Sequence, residues 1–228
     1  MSAGPRKTRT GHPKKPTRSR RLLPEDARRK ITDSATRFLR KRPFRDLTIA
    51  ELMAGTPLSR PAFYQYFSDL HELIESLLRD VETVMRQTAN PWINGEGEPI
   101  AALRKSLGGI VQTCVEHGPI LRAVVEAAPL DKRLERAWKA FFRRWDDAVE
   151  ARIKAQQRDG LIPRLDARRM AHALNALDAA VLIEEFGRRP QGDPRAALDT
   201  LHRIWSGALY GQPPGSLALE RSGRKRRS

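Results

Sequence analysis

One cysteine, Cys114, stands in 228 residues. A single thiol can form neither an intramolecular disulfide nor a cysteine-built zinc cage. Long apolar runs are missing as well. The longest, "AAVLI" at 179–183, falls far short of the roughly 20 residues that span a bilayer. No apolar stretch of the kind a secretory signal needs follows the basic N-terminus. We therefore expect a cytoplasmic protein with no membrane partner. Alternating strand patterns of useful length and internal repeats are absent too, which excludes most β architectures and solenoids.

Catalytic signatures are just as sparse. There is no P-loop and no G-x-G-x-x-G. The five histidines, His12, His71, His117, His172 and His202, are scattered, and "HELIE" at 71–75 lacks the second histidine of a zinc-protease helix. "GGI" at 108–110 lies inside a helical pattern and reads as close packing, and the Asp146-Asp147 and Glu184-Glu185 pairs read as solvated faces. We expect no enzyme, no cofactor and no metal.

Acid is missing altogether from residues 1–23, which carry Arg6, Lys7, Arg9, Lys14, Lys15, Arg18, Arg20 and Arg21. Residues 212–228 are basic as well, with five arginines and lysines against Glu220. Most of the formal charge of +16 therefore sits in the two ends, and the stretch between them is only mildly basic. Such polycations are solubilising tails, or they hold nucleic-acid phosphate or an anionic membrane surface. Pro, Gly, Ser and Thr fill the gaps between the charges, so the arm at 1–23 and the tail at 212–228 are predicted to be disordered.

What is present between them is helical. Pro24 suits a first helical position, and Glu25 and Asp26 favour the positive end of the helix dipole. Ile31, Ala35, Phe38 and Leu39 form one apolar stripe of a helix that Pro43 ends. Thr48 can cap a short helix, with Glu51 completing a capping box. Gly55-Thr56-Pro57 breaks it, Ser59 can cap a second short helix, and Pro61 fits that helix's first turn. Two short helices across a tight turn make a helix-turn-helix. A longer helix is predicted from Asp69 to about Gln87. We place a break between the small N-terminal part and the larger remainder in "NPWINGEGEP" at 90–99. Further helices are predicted over 99–116, 119–128, 131–158, 166–188 and 193–210. The fold class is all-α: a three-helix helix-turn-helix domain at 24–68, and a larger helical domain at 69–211 that includes the connecting helix.

Aromatic residues make up only 6% of the chain, yet "SRPAFYQYF" at 59–67 holds four. In a helix-turn-helix the second helix enters the major groove with its first residues against base edges. Ile49, Leu52, Leu58 and Phe63 should hold the two helices together, with Phe67 also in the core. Ser59, Arg60, Pro61, Ala62, Tyr64, Gln65 and Tyr66 fall toward the exposed half. Gln65 suits adenine, Arg60 suits guanine or phosphate, and the tyrosine hydroxyls suit phosphate oxygens.

The stretch from Thr48 to Leu73 resembles the DNA-binding domain of the TetR family of bacterial transcriptional regulators. In that pattern a Thr opens the second helix, a Ser opens the recognition helix, and a Tyr-x-(His or Tyr)-Phe run closes it. Thr48, Ser59, Tyr64, Tyr66 and Phe67 stand at those places. "LSRPAFYQYF" is most similar to the ethionamide-resistance-repressor type, and the likeness continues loosely through Trp138, Trp145, Asn175 and "LDTLHRIW…YG" at 198–211. The resemblance implies that Thr48 joins the DNA-binding set. Two positions depart from the pattern. Thr56-Pro57 replaces the usual Ala-Gly of the turn, and Leu70 replaces a phosphate-binding lysine.

In the C-terminal part, Leu134, Trp138, Phe141, Phe142, Trp145 and Val149 form one stripe. Periodicity alone leaves open whether this is plain core or the wall of an apolar cavity. Asn175 and Asp178 are polar residues on the otherwise apolar segment "ALNALDAAVLI", and buried polar groups need partners. The resemblance implies a long hydrophobic tunnel lined by Trp, Phe and two Asn. Trp138, Phe142, Trp145, Asn175 and Trp205 match tunnel positions. Asp178 stands for the second Asn, and Leu103, Ile110 and Ile183 stand where aromatics are usual; Leu107 completes the ligand-binding set. An Asp there suits a ligand with a donor or a positive charge, or is satisfied by a neighbouring arginine. Ala173, Leu177, Ala180 and Val181, with Leu198, Leu201, Ile204 and Ala208, give the last two helices small apolar faces. The resemblance implies that these pair with a twin subunit. The expected partners are double-stranded DNA, in the form of a palindromic operator, a small hydrophobic effector and a second copy of the chain. The alternative is a DNA- or RNA-binding protein with no effector and a packed core.

Overall fold

The computed structural model describes residues 23–211. The predicted basic arm, apart from Leu23, and the tail lie outside the described residues. Eight α-helices are described: α1 (Pro24–Leu39), α2 (Ile49–Ala54), α3 (Arg60–Phe63), α4 (Leu70–Ile93), α5 (Pro99–Ala127), α6 (Lys132–Arg158), α7 (Ala167–Phe186) and α8 (Pro194–Tyr210). Among the described residues there is no strand, and no helix is long and apolar enough to cross a membrane.

Helix α1 starts on Pro24 with Glu25 and Asp26 in its first turn, and buries Ala27, Ile31, Ala35 and Leu39. It stops at Leu39, before Pro43. The residue before a proline is driven out of the α region, and a turn at 40–42 and a 3-10 turn at Phe44–Asp46 occupy the gap. Helices α1 to α3 pack around Ile31, Leu52, Phe63 and Phe67, each at most 2% exposed. α1 also satisfies the open end of α2. The Ser34 hydroxyl donates to the Leu52 carbonyl at 2.8 Å, and Arg37 donates to the Gly55 carbonyl at 3.0 Å.

Helix α4 corrects the sequence expectation. It does not end near Gln87 but runs through Pro91 to Ile93. A proline inside a helix removes a backbone bond and crowds the preceding turn. Ser106 of α5 braces the turn around it: its hydroxyl accepts from the Trp92 N–H and donates to the Ala89 carbonyl, both at 3.0 Å. The helix then closes on Gly95, whose φ of +76° suits the left-handed position of a Schellman ending. Glu96 N–H reaches the Pro91 carbonyl and Gly95 N–H the Trp92 carbonyl.

The predicted helices at 99–116 and 119–128 are one helix, α5. His117-Gly118-Pro119 does not break it. Pro119 has no N–H for the Val115 carbonyl, and the Gln191 side-chain amide supplies that bond at 2.9 Å while also capping the Phe186 carbonyl at 3.0 Å. Gly118 permits the crossing, since a β-carbon there would sit 2.5 Å from the Phe186 carbonyl oxygen. Gly109 does the same against Thr88 of α4, as the packing reading of "GGI" required. α5 thus becomes the central post, touching α1, α4, α6, α7 and α8. Helices α6, α7 and α8 start on Asp131, Asp166 and Asp193, each accepting a backbone N–H from the first turn.

Candidate nucleic-acid interface and ligand cavity

The N-terminal site begins with two helix starts. Thr48 Oγ1 accepts the Glu51 N–H at 3.2 Å, the first half of the expected capping box. The Glu51 carboxylate reaches back in turn: it accepts from the Thr48 hydroxyl and from Arg42. The Arg42 bond holds the Glu51 carboxyl below its usual range, and the Thr48 backbone N–H also helps to hold it low. Ser59 occupies the N-cap of α3 but makes no side-chain cap bond, against expectation, and its hydroxyl has no partner among the described residues. The turn between the helices is built without any positive φ at a non-glycine residue. The Thr56 hydroxyl donates to the Met53 carbonyl at 2.9 Å and accepts from the Leu58 N–H at 3.2 Å, so Thr56-Pro57 serves where Ala-Gly is usual.

Helix α3 is a single turn, and its residues divide by side. Phe63 and Phe67 are buried with ring centres 5.7 Å apart, and the Arg28 guanidinium covers Phe67 at 5.1 Å. Thr48, Ser59, Arg60, Pro61, Tyr64 and Gln65 are exposed; Tyr64 is 56% exposed. Ala62 and Tyr66 are half-buried, and Tyr66 packs partly against the core. Leu70 is half-buried at the start of α4. Asp69 caps that helix through the Glu72 N–H at 2.8 Å, and Arg133 of α6 grips the same carboxylate at 2.7 Å. Burial opposes ionisation of Asp69, but the Glu72 N–H and Arg133 outweigh it and hold the carboxyl low. A second clamp lies farther along α4. Glu82, 7% exposed, accepts from Arg144 at 2.6 Å and from Arg86 at 3.3 Å.

From Trp138 to Trp145, α6 presents its aromatic stripe to the interior. Two adjoining cavities lie there. The larger, about 50 Å³, is lined by Met85, Ile110, Cys114, Leu121, Trp138, Phe141, Phe142, Trp145, Asn175, Asp178, Ala179, Leu182 and Ile183. The smaller, about 30 Å³, shares Ile110, Trp145, Asn175 and Asp178, and adds residues that include Trp92, Leu103, Leu107 and Trp205. Every residue of the expected ligand-binding set borders one or both. Sequence reasoning missed Met85, Cys114, Leu121, Ala179 and Leu182, and took Phe141 as part of the stripe only. Burial pushes the Cys114 thiol up to about 12, so it is an apolar wall rather than a nucleophile. Trp138 and Phe142 are half-buried and also border an outer groove with Asp146, Arg168 and His172.

The polar groups of the wall are specific. Asp178 is held by the Trp205 indole N–H at 2.9 Å, not by an arginine. Burial pushes its carboxyl up to about 7, and that hydrogen bond only partly offsets the rise. Asn175 donates to Asp146 at 2.8 Å, and His172 Nδ1 meets the same carboxylate at 2.8 Å. Asp146 is therefore a buried anchor at 4% exposure, correcting its reading as a solvated face. Asp147 is solvent-facing and pairs with Arg168. The Trp145 indole nitrogen is buried with no partner among the described residues. Below the cavities Trp92 donates to the Tyr210 hydroxyl, which donates to Gln156, both at 2.9 Å.

Of the predicted subunit-pairing residues, Ala173, Ala180 and Ile204 are exposed, and Leu177, Val181, Leu198 and Ala208 are half-buried. Leu201 is fully buried and belongs to the core of its own chain.

Comparison with known proteins gives a consistent picture. Residues 103–211 match a family model described as the C-terminal domain of the transcriptional regulator EthR. The HTH-type transcriptional regulator EthR of Mycobacterium tuberculosis (strain ATCC 25618 / H37Rv) is 27% identical over 201 residues, covering 86% of this chain and 92% of the relative. Its namesake from Mycolicibacterium smegmatis is 25% identical over 203 residues, with the same coverage. Among solved structures, a putative TetR-family transcriptional regulator from Syntrophomonas wolfei superposes with a TM-score of 0.68 at 13% identity, covering 81% of this chain and 95% of that one.

Proposed function

We propose that this chain, a TetR-family transcriptional regulator with an EthR-type C-terminal domain, is a cytoplasmic homodimeric repressor that a small hydrophobic effector releases from a palindromic operator. The observation that carries the reading is one chain holding two unlike sites on a shared helix. α4 begins beside the exposed face of Arg60, Tyr64 and Gln65, and farther along gives Met85, Ala89, Trp92 and Ile93 to the cavities. In a dimer, two recognition helices would sit about 34–36 Å apart, one turn of DNA. Ser59, its hydroxyl without a partner among the described residues, together with Arg60, Tyr64, Gln65 and Tyr66, would meet phosphates and base edges. Thr48, Pro61 and Ala62 would line the approach.

The coupling follows from the clamps. Arg133–Asp69 and Arg144–Glu82 tie α6 to the N-cap and the middle of α4, one before the aromatic stripe and one within it. Ligand pockets for drug-sized molecules run to about 300–1,000 Å³, far above the volumes here, so an effector has to displace α6 rings such as Trp138 and Phe142. Through the clamps that displacement moves α4 and the helix-turn-helix with it. The effector shifts the balance only by binding the released state better than the DNA-bound one. Fluorescence anisotropy on a selected operator tests this: apolar compounds that raise the melting temperature should also lower DNA affinity.

The small cavities favour a second reading, in which the interior is simply core and the protein binds DNA or RNA without an effector. A compound panel that never shifts the melting temperature would support it.

A further inference from the structure

Asp178 has an unmet need that an apolar effector does not answer. It is a buried carboxyl bordering both cavities, and its one hydrogen bond is the Trp205 N–H on Oδ1. Among the described residues its other oxygen has no donor, and no lysine, arginine or histidine borders either cavity. The carboxylate therefore lacks a counter-charge among the described residues, which is costly in an apolar site. Four aromatic rings border the same space. Trp138 and Phe142 stand edge to face at 4.9 Å, and Phe141 lies 5.1 Å from Trp138 and 6.3 Å from Trp145. Ring faces attract cations, most strongly where water is excluded, and Trp145 already takes the Arg86 guanidinium at 5.7 Å.

We infer that the cavity selects a monovalent organic cation, an amine or quaternary ammonium on a small apolar frame, with Asp178 as its counter-ion and Trp138, Phe141, Phe142 and Trp145 around the charge. The inference rests on the reading of this cavity as the effector site. The ionised carboxyl is the binding form, and with the free carboxyl pushed up to about 7 by burial, cation binding releases a proton near neutrality. From α5 the titratable group bordering the cavity with Asp178 is the Cys114 thiol, neutral at these pH values. α4 contributes Met85, α6 its rings, and α8 Trp205, none of which titrates there. Asp146 of α6 is turned to Asn175 and His172. Outside Trp138 and Phe142 the groove is basic, but Lys139, Arg168 and Arg169 are each paired with an acid in solvent. That leaves Arg143 as the one rim cation of the groove with no ion pair among the described residues.

The test is calorimetric titration of the full chain at pH 6 and pH 8 with benzyltrimethylammonium, whose charge is permanent, and with its neutral isostere neopentylbenzene. The cation should bind about tenfold more tightly at pH 8 than at pH 6, following the ionised fraction of a group near 7. Asp178→Asn should remove both that pH dependence and the preference for the cation. Phe142→Leu should weaken the cation more than the isostere. Equal binding of both probes, unchanged by Asp178→Asn, would overturn the inference and leave the effector reading standing. Cation binding that Asp178→Asn does not alter would place the site elsewhere and overturn it too. No binding of either probe would overturn both.

Discussion

Asp178→Asn in the ligand-free protein should raise stability, and by more at high pH than at low pH. The carboxyl sits near 7 in the fold against an ordinary 3.8, because burial penalises its charge. Below pH 4 the acid is neutral in folded and unfolded chains alike, and the contribution is fully favourable. As pH rises past 4 the unfolded chain ionises while the folded one resists, so stability falls until the folded group titrates near 7. One pKa unit corresponds to about 1.4 kcal/mol. Between pH 5 and pH 8 the wild type should therefore lose roughly 2–3 kcal/mol from this group alone. Asparagine has the same shape and can still accept the Trp205 N–H, but it cannot ionise. At roughly 2–4 °C per kcal/mol for a domain of this size, the melting-temperature gap between variant and wild type should widen by about 5–10 °C from pH 5 to pH 8. Thermal melts followed by circular dichroism at both pH values read this directly. A constant gap, or one that narrows as pH rises, would refute the buried, uncompensated carboxyl.

Three further outcomes follow from named contacts. Gln191→Ala leaves the Val115 carbonyl opposite Pro119 and the Phe186 carbonyl without their donor, so urea denaturation should show a loss of about 1–3 kcal/mol; an unchanged midpoint would mean that water replaces the amide. Glu82→Gln breaks the α4–α6 clamp. Burial opposes the charge of Glu82, but the Arg144 bonds override it and hold the carboxyl below 4.5. With both arginines about half exposed, the loss should be about 1–2 kcal/mol at pH 7. It should fade as acid protonates the Glu82 carboxyl, and a loss that persists once that carboxyl is protonated would contradict the pairing. Gln65→Ala should leave the unfolding free energy within about 0.5 kcal/mol of wild type while changing the base preferred at one operator position. Unfolding instead would place Gln65 in the core.

The helix-turn-helix was legible from local chemistry because its signals are local: a threonine cap, a Gly-Thr-Pro turn, and aromatic residues split between two sides of one short helix. The helix ends after Gln87 and around Pro119 were not. Proline predicts a break from the free chain's behaviour, and here partners distant in sequence hold the helices: Ser106 braces the turn around Pro91, and Gln191 supplies the bond that Pro119 removes. Asp146 was misread for a similar reason. Next to Asp147 it looks like a charged surface pair, and only the packing of α7 brings Asn175 and His172 to it. The cavity wall was visible through family resemblance, whereas spacing alone could not separate wall from core. Leu121, Met85 and Leu182 carry no signal beyond burial, which any core residue shares.

The central claim is a dimer that reads DNA through the face around Arg60, Tyr64 and Gln65. Selection of the purified full chain against random duplexes, followed by sequencing, tests it most directly. The account predicts an enriched inverted repeat with half-sites about one helical turn apart, lost when Arg60 and Gln65 are both replaced by alanine. Enrichment of no sequence, or of a motif that survives the double replacement unchanged, would contradict it.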